Sequence, residues 1–341
     1  MISLLNTPIF DNERNVLNAD LFVNNLKNTL KAFSFNPKVT YNVYRNVTVY
    51  KISWNDDKIY EDILELKKEI ALSLGIRVEE LDIKKISDNE VSITVLNMKR
   101  EILTLKEVLS EYKKDNTFKV AIGMNEYDEL VYFDFDKDKS LLVTGVTGSG
   151  KTNLFNNIIM NILINYDDIN IIILDSQGIN YNMYDGVCEV INKEHDIVDK
   201  IKLIRREFEN RIKNGNSDRT VVLIDEIYEI LKLDSSVKDD INYLLELGSM
   251  TNIHLIVSTD SVIHDDTYDL FNRKKLAKLS FYLTSRGEYN MFLDSFINEY
   301  LDRDGMYKGQ DDRIVRVSIP LVSDDEIERV VGYEKEKREE R

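Results

Sequence analysis

The pattern of apolar and polar positions changes character three times along the chain. Residues 1–35 are polar and rich in Asn, but Leu17, Leu21, Phe22, Leu26 and Leu30 recur at helical spacing and predict one amphipathic helix. From Asn36 the period shortens to two, and KVTYNVYRNVTVYKISW predicts two strands. A helix is expected over residues 56–74, with apolar positions at Ile59, Ile63, Leu64, Leu66, Ile70 and Leu74. LDIKKISDNEVSITVLN then predicts two more strands around an Asp-Asn turn. With a short helix over residues 103–109, these elements make a small α+β domain placed at residues 36–117.

The third pattern is the longest, running over residues 118–333 ahead of a charged tail at 334–341. FKVAIGMNEYDELVYFDF predicts a hairpin turning at Asn125 and Glu126, after which strands and helices alternate. Strands are expected just before Gly145 and over 169–175, 220–226, 253–260 and 278–285, with a last one in RIVRVSIP. Helices are expected through Asn165, over 196–214, near 241–247 and after a capping Ser323. INIIILD and TVVLIDE are nearly continuous apolar runs, so these strands must be covered on both faces. That requirement predicts a doubly wound α/β fold with a mainly parallel sheet, whose ligands gather at the carboxyl ends of the strands.

Chemistry concentrates where the first of those strands ends. In SLLVTGVTGSGKTN, Gly145, Gly148 and Gly150 remove Cβ atoms where the backbone must curl, and Lys151 and Thr152 open a helix. This is the complete P-loop pattern in its required strand–loop–helix context. The nest of backbone N–H groups over Gly145, Val146, Thr147, Gly148, Ser149, Gly150, Lys151, Thr152 and Asn153 is expected to cradle ATP phosphates. Lys151 would reach the β/γ-phosphates and the Thr152 hydroxyl would bind Mg²⁺. A second signal closes TVVLIDE, where an apolar strand ends in two acids: Asp225 is expected in the Mg²⁺ shell, and Glu226 is expected to deprotonate the attacking water. The fold class is therefore α/β, a P-loop NTPase (RecA-like) preceded by a small α+β domain.

Composition limits the context. At 341 residues and 43% hydrophobic, the chain can bury a nucleotide-binding core and a smaller companion domain. No apolar run reaches membrane-spanning length and the N-terminus lacks a signal pattern, so a cytoplasmic protein without a membrane segment is expected. One cysteine, Cys188, excludes an internal disulfide framework, and three scattered histidines offer no transition-metal site. The net charge of −16 means that a nucleic-acid partner would have to meet a local basic patch.

The motifs together resemble the FtsK/SpoIIIE family of DNA-translocating motors, from about Asn36 to Tyr333. The resemblance is carried by LLVTGVTGSGKTN, by ILDSQ with Asp175 where the family has Asp-Pro-Lys, and by IRREFENRI, VVLIDEIYEIL, NIHLIVSTD, KLSFYLTSR and DGMYKG with VSDDEIERVV. YRNVTVYKI, LNMKREILTLKEVL and the hairpin sequence resemble the smaller domain that precedes the motor in these translocases. The resemblance implies a homo-oligomeric ring, typically a hexamer, closing around double-stranded DNA with ATP bound between subunits. The family's membrane anchor and its C-terminal winged-helix domain have no counterpart in the sequence.

Two positions depart from the family pattern: Asp260 stands where it usually has Gln, a sensor of the γ-phosphate, and Ser249 where it often has Arg. Arg286 in LTSRGEYN aligns with a basic residue of the family and is the candidate arginine finger. Arg205, Arg206 and Arg211 read as paired cations on a solvent face. Arg273, Lys274, Lys275, Lys278, Lys84 and Lys85 are the basic candidates for a DNA path. Three function classes stay open: a DNA-translocating ATPase serving a plasmid, phage or other mobile element, a secretion-type ATPase moving proteins, and a nucleotide-binding module with weak hydrolysis.

Overall fold

A computed structural model describes residues 1–7, 13–55, 60–78, 81–97, 101–215, 218–273, 275–295 and 304–340. The chain divides into two compact units, one of Ile9–Ile102 with Glu126–Glu129, the other of Met1–Pro8, Leu103–Asn125 and Leu130–Arg341.

The smaller unit is an antiparallel sheet under helices. Its strands β1 (Lys38–Val43), β2 (Val47–Ser53), β3 (Asp82–Ser87) and β4 (Glu90–Leu96) lie in the order β1-β2-β4-β3. Helix α1 (Glu13–Ala32) packs against β1, burying Leu26 and Leu30 and leaving Leu17 and Leu21 exposed. The helix expected over 56–74 forms as two pieces, α2 (Tyr60–Glu65) and α3 (Lys67–Leu74), and its first four positions lie outside the described residues. Leu66 breaks it by leaving helical geometry at φ −86°, ψ 8°, and Gly75 ends it in the left-handed conformation. Trp54 and Tyr50 are buried in the core, Trp54 edge-on to Phe35, so these aromatics pack as the strand periodicity implied.

In the larger unit, α4 (Leu105–Glu111) starts from a capping box between Thr104 and Glu107. The hairpin β5 (Lys119–Met124) and β6 (Leu130–Asp134) follows, then the one-turn α5 (Phe135–Asp138). The main sheet comprises β7 (Leu141–Thr144), β8 (Ile169–Asp175), β9 (Glu189–Ile191), β10 (Arg219–Asp225), β11 (Ile253–Thr259), β12 (Ala277–Ser280), β13 (Gly305–Lys308) and β14 (Ile314–Val317). Their order is β14-β13-β12-β7-β11-β10-β8-β9. All neighbours are parallel except at one edge, where β13 and β14 return antiparallel.

Alternation along the central strands feeds two cores. Val143, Ile171, Ile173, Val221 and Leu223 join one, which takes in α6 (Lys151–Asn165) and α12 (Asp324–Glu339). Leu142, Ile172, Leu174, Val222 and Ile224 join the other, beneath α7 (Glu194–Asn214), α8 (Ile227–Leu233), α9 (Val237–Leu247), α10 (Asp265–Phe271) and α11 (Arg286–Leu293). Covering on both faces is what the apolar runs required. The strand expected over 278–285 stops at Ser280; beyond it Phe281 N–H still donates to Thr144 O at the end of β7, at 2.8 Å, and the Tyr282 carbonyl accepts from Val146 N–H of the glycine loop at 3.0 Å.

Helix α6 is unusual in burying polar residues. A bulge in β5 leaves the Ala121 and Ile122 carbonyls to be met by the Asn157 and Asn161 side-chain amides, at 3.0–3.3 Å. Next to the bulge, Gly123 lies so close to the Ser318 carbonyl that a Cβ would come within 2.1 Å of its oxygen. At its first turn, Asn153 accepts from Val322 N–H at 3.0 Å and donates to Pro320 O at 2.8 Å. Helix α12 begins at Ser323 with the expected capping box, closed by a buried Glu326.

Candidate nucleotide site

The carboxyl ends of β7, β8, β10 and β11 converge on one cluster. β7 runs into the glycine loop, where Gly145, Gly148 and Gly150 all take positive φ (154°, 78° and 118°) that a side chain would strain. Phe281 backs this loop: Cβ atoms at Gly145 and Gly150 would meet it at 2.7 and 3.3 Å. The loop delivers Lys151 as the first helical residue, 5% exposed, with its ammonium on Gly145 O at 2.6 Å and on the Glu226 carboxylate at 3.0 Å.

Glu226 directly follows β10 and holds a left-handed backbone, φ 52°, ψ 63°, uncommon for a residue with a side chain. Such strain persists only where surroundings enforce it. Here Ser258 enforces it: its hydroxyl accepts the Glu226 N–H at 2.9 Å and donates to Asp225 Oδ1 at 2.6 Å. The second Asp225 oxygen accepts from Tyr181 OH at 3.1 Å. Burial pushes the Asp225 carboxyl above its ordinary range, against the opposing pull of the Ser258 and Tyr181 hydrogen bonds and the Lys151 charge. Burial likewise raises Glu226, with Lys151 again opposing.

The structure thus brings Lys151, Thr152, Asp225 and Glu226 together. Asp260 stands just past β11, half buried, and adds negative field to Glu226. Other candidates fall elsewhere. The Asn153 side chain is spent on the segment before α12, leaving only its backbone for a ligand at the loop. Ser249 precedes β11, whereas the site forms where that seven-residue strand ends, roughly 20 Å away at about 3.3 Å per residue. Arg286 is exposed at the start of α11 and forms no ion pair among the described residues. Asp175 shapes a turn, accepting the Gln177 and Asn180 N–H groups at 3.2 and 2.9 Å.

Basic candidates for a nucleic-acid path mostly have partners. Lys278, expected on the surface, is 1% exposed, because its ammonium caps α11 at Phe292 O (2.6 Å) and pairs with Asp294 at 3.1 Å. Arg273 pairs with Glu246, Lys84 with Asp82 and Lys85 with Asp88. Lys275 is exposed, and Lys274 lies outside the described residues. Arg211, read as a solvent cation, is buried on Thr220 and the Thr251 carbonyl.

Ser258 and Tyr181 were not picked out in the sequence. A hydroxyl at the end of the otherwise apolar IHLIVST was the available signal for Ser258, while Tyr181 sits in an Asn-rich loop with no pattern of its own.

The residues fit a magnesium nucleotide. A hydroxyl and a carboxylate are hard oxygen donors, and Mg²⁺ is commonly held by one or two such groups together with phosphates and water. Accordingly, no cluster of three or more metal-ligating side chains occurs among the described residues. The buried Ser149 hydroxyl within the loop has no protein partner.

Comparison with known proteins matches residues 103–299 to the FtsK/SpoIIIE family. The chain is 26% identical over 347 aligned residues to the DNA translocase FtsK of Staphylococcus aureus, and 25% identical over 349 to the DNA translocase SpoIIIE of Bacillus subtilis. Each alignment takes in 90% of this chain and 44% of the relative, so the chain spans less than half the length of these proteins. Among solved structures, the pCW3 conjugation coupling protein TcpA, in a monomer form with ATPgS, superposes with a TM-score of 0.60 at 16% identity, covering 93% of this chain and 99% of that one. The cytoplasmic domain of the Type VII secretion ATPase EccC from Thermomonospora curvata gives 0.59 at 15% identity, covering 68% and 34%. These likenesses establish the fold.

Proposed function

Because the chain belongs to the FtsK/SpoIIIE family of P-loop ATPases, we propose that it is an ATP-driven motor that translocates double-stranded DNA as a ring of identical subunits, serving a plasmid, phage or other mobile element. The observation that carries this reading is the span of the similarity to DNA translocases, which reaches 90% of the chain and so extends through both units.

In the proposed reaction, the loop amides and Lys151 bind the triphosphate of ATP. Thr152 and Asp225 would hold Mg²⁺, which supplies charge neutralisation on the transferring phosphoryl group. Glu226 accepts a proton from water as the water oxygen bonds to the γ-phosphorus and the bond to the ADP oxygen breaks. Its raised proton affinity suits it as a base, and Ser258 holds it in place through the backbone. Arg286, exposed and without an ion pair among the described residues, is available to a neighbouring subunit's nucleotide.

The net charge of −16 bears on how DNA is engaged. A ring can turn a minority of cationic loops to its lumen while acidic faces stay outside, so the local field differs in sign from the whole. ATP hydrolysis measured with and without duplex DNA tests the proposal. Stimulation without sequence preference, falling as salt rises, is expected, together with ATP-dependent assembly of Glu226→Gln by light scattering. A monomer under those conditions, with hydrolysis indifferent to DNA at low salt, would overturn it in favour of the secretion-type or binding-module reading.

A further inference from the structure

We propose that Tyr181 is a positioning residue for the metal end of this site: its phenol fixes the orientation of the Asp225 carboxylate. The inference rests on the assignment of Asp225 as a group that would hold Mg²⁺.

Tyr181 is fully buried, and its ring is packed beside Phe155. It is delivered by a built turn. At the end of β8 the Asp175 carboxylate accepts two backbone N–H groups, from Gln177 and Asn180, and the Ser176 hydroxyl donates to the Asp225 carbonyl at 3.0 Å. The chain is thereby folded back so that the phenol arrives between the first turn of α6 and the end of β10. There it has one proton to give, and Asp225 Oδ2 receives it at 3.1 Å. The other Asp225 oxygen, Oδ1, accepts from the Ser258 hydroxyl at 2.6 Å, so both carboxylate oxygens are held.

The orientation of that carboxylate matters. A carboxylate ligates a cation only through lone pairs that its other hydrogen bonds leave free. With Oδ1 held by Ser258 and Oδ2 by Tyr181, the Asp225 carboxylate is fixed in rotation. Outer partners of this kind orient metal ligands, and their loss typically lowers metal affinity 10- to 100-fold. A buried tyrosine that served only the core would have no effect confined to the metal.

The test is binding of a fluorescent ATP analogue to the full chain, titrated in EDTA and across a range of Mg²⁺ concentrations. Tyr181→Phe keeps the ring and is expected to leave affinity in EDTA unchanged while raising the Mg²⁺ midpoint about tenfold. Asp175→Asn loosens the turn that delivers the phenol and should produce the same selective rise, which keeps the question answerable if Tyr181→Phe fails to fold. An unchanged Mg²⁺ midpoint, or equal weakening with and without the metal, overturns the proposal. Failure of the parent protein to bind the analogue under either condition would instead overturn the nucleotide-site assignment on which it rests.

Discussion

Replacing Glu226 by Gln is expected to move binding and chemistry in opposite directions. In the structure the Glu226 carboxylate holds the Lys151 ammonium at 3.0 Å, with both side chains almost fully buried. The same ammonium is the cation that the triphosphate must engage, so glutamate and nucleotide compete for it. A charge-assisted hydrogen bond contributes about 1.5–3 kcal/mol net. Glutamine keeps an acceptor oxygen but not the charge, so about half of that competition should vanish, about 0.75–1.5 kcal/mol or a roughly 3- to 12-fold gain in affinity. Hydrolysis should fall, because loss of a general base typically costs about 10²–10⁴ in rate, or roughly 2.7–5.5 kcal/mol of barrier. Calorimetric titration with ATP gives the first quantity and single-turnover hydrolysis the second. A variant that hydrolyses at the parental rate removes Glu226 as the base and makes Asp260 the next suspect. One that binds ATP no more tightly than the parent refutes the competition.

Two further outcomes follow from the same cluster. Lys151→Ala should abolish tight ATP binding in calorimetry, since no other described cation pairs with Glu226 at the loop and a phosphate would lose its point-charge partner. Without nucleotide, Asp225 and Glu226 both have folded-state proton affinities above the ordinary values of 3.8 and 4.5, so their protonation stabilises the fold; that contribution is complete below those values and is lost as pH rises through the raised ones. Asp225→Asn escapes its share of the loss, so its denaturation midpoint relative to the parent should climb in the window that opens above pH 3.8. A difference that stays flat over that window contradicts the burial argument.

Local pattern made much of this molecule legible. The glycines at 145, 148 and 150, the acids ending TVVLIDE and the unbroken apolar strands each announce one element, and the site lies where those elements end. The capping box at Ser323 was equally readable, since both of its partners sit within four residues. What escaped depends on contacts between distant segments. Ser258 and Tyr181 acquire their roles only when β11, the turn after β8 and the end of β10 are set side by side. Lys278 looked like a surface cation because lysine usually is one; its ammonium is instead met by the last carbonyls of α11, fourteen residues on. The break at Leu66 has no glycine or proline to mark it.

Asn153 ties two distant segments of the chain into one mechanical joint. Its amide grips the backbone at Pro320 and Val322 from the first turn after the glycine loop, in the same turn as Lys151 and Thr152. Those two backbone positions lead straight into α12, which packs along α6. Force applied to α12 therefore has a direct route, one side chain long, to the turn that carries the nucleotide contacts, and a displacement of that turn has the same route outward. A binding partner or an engineered attachment on α12 would therefore have this one side chain as a path to the nucleotide loop.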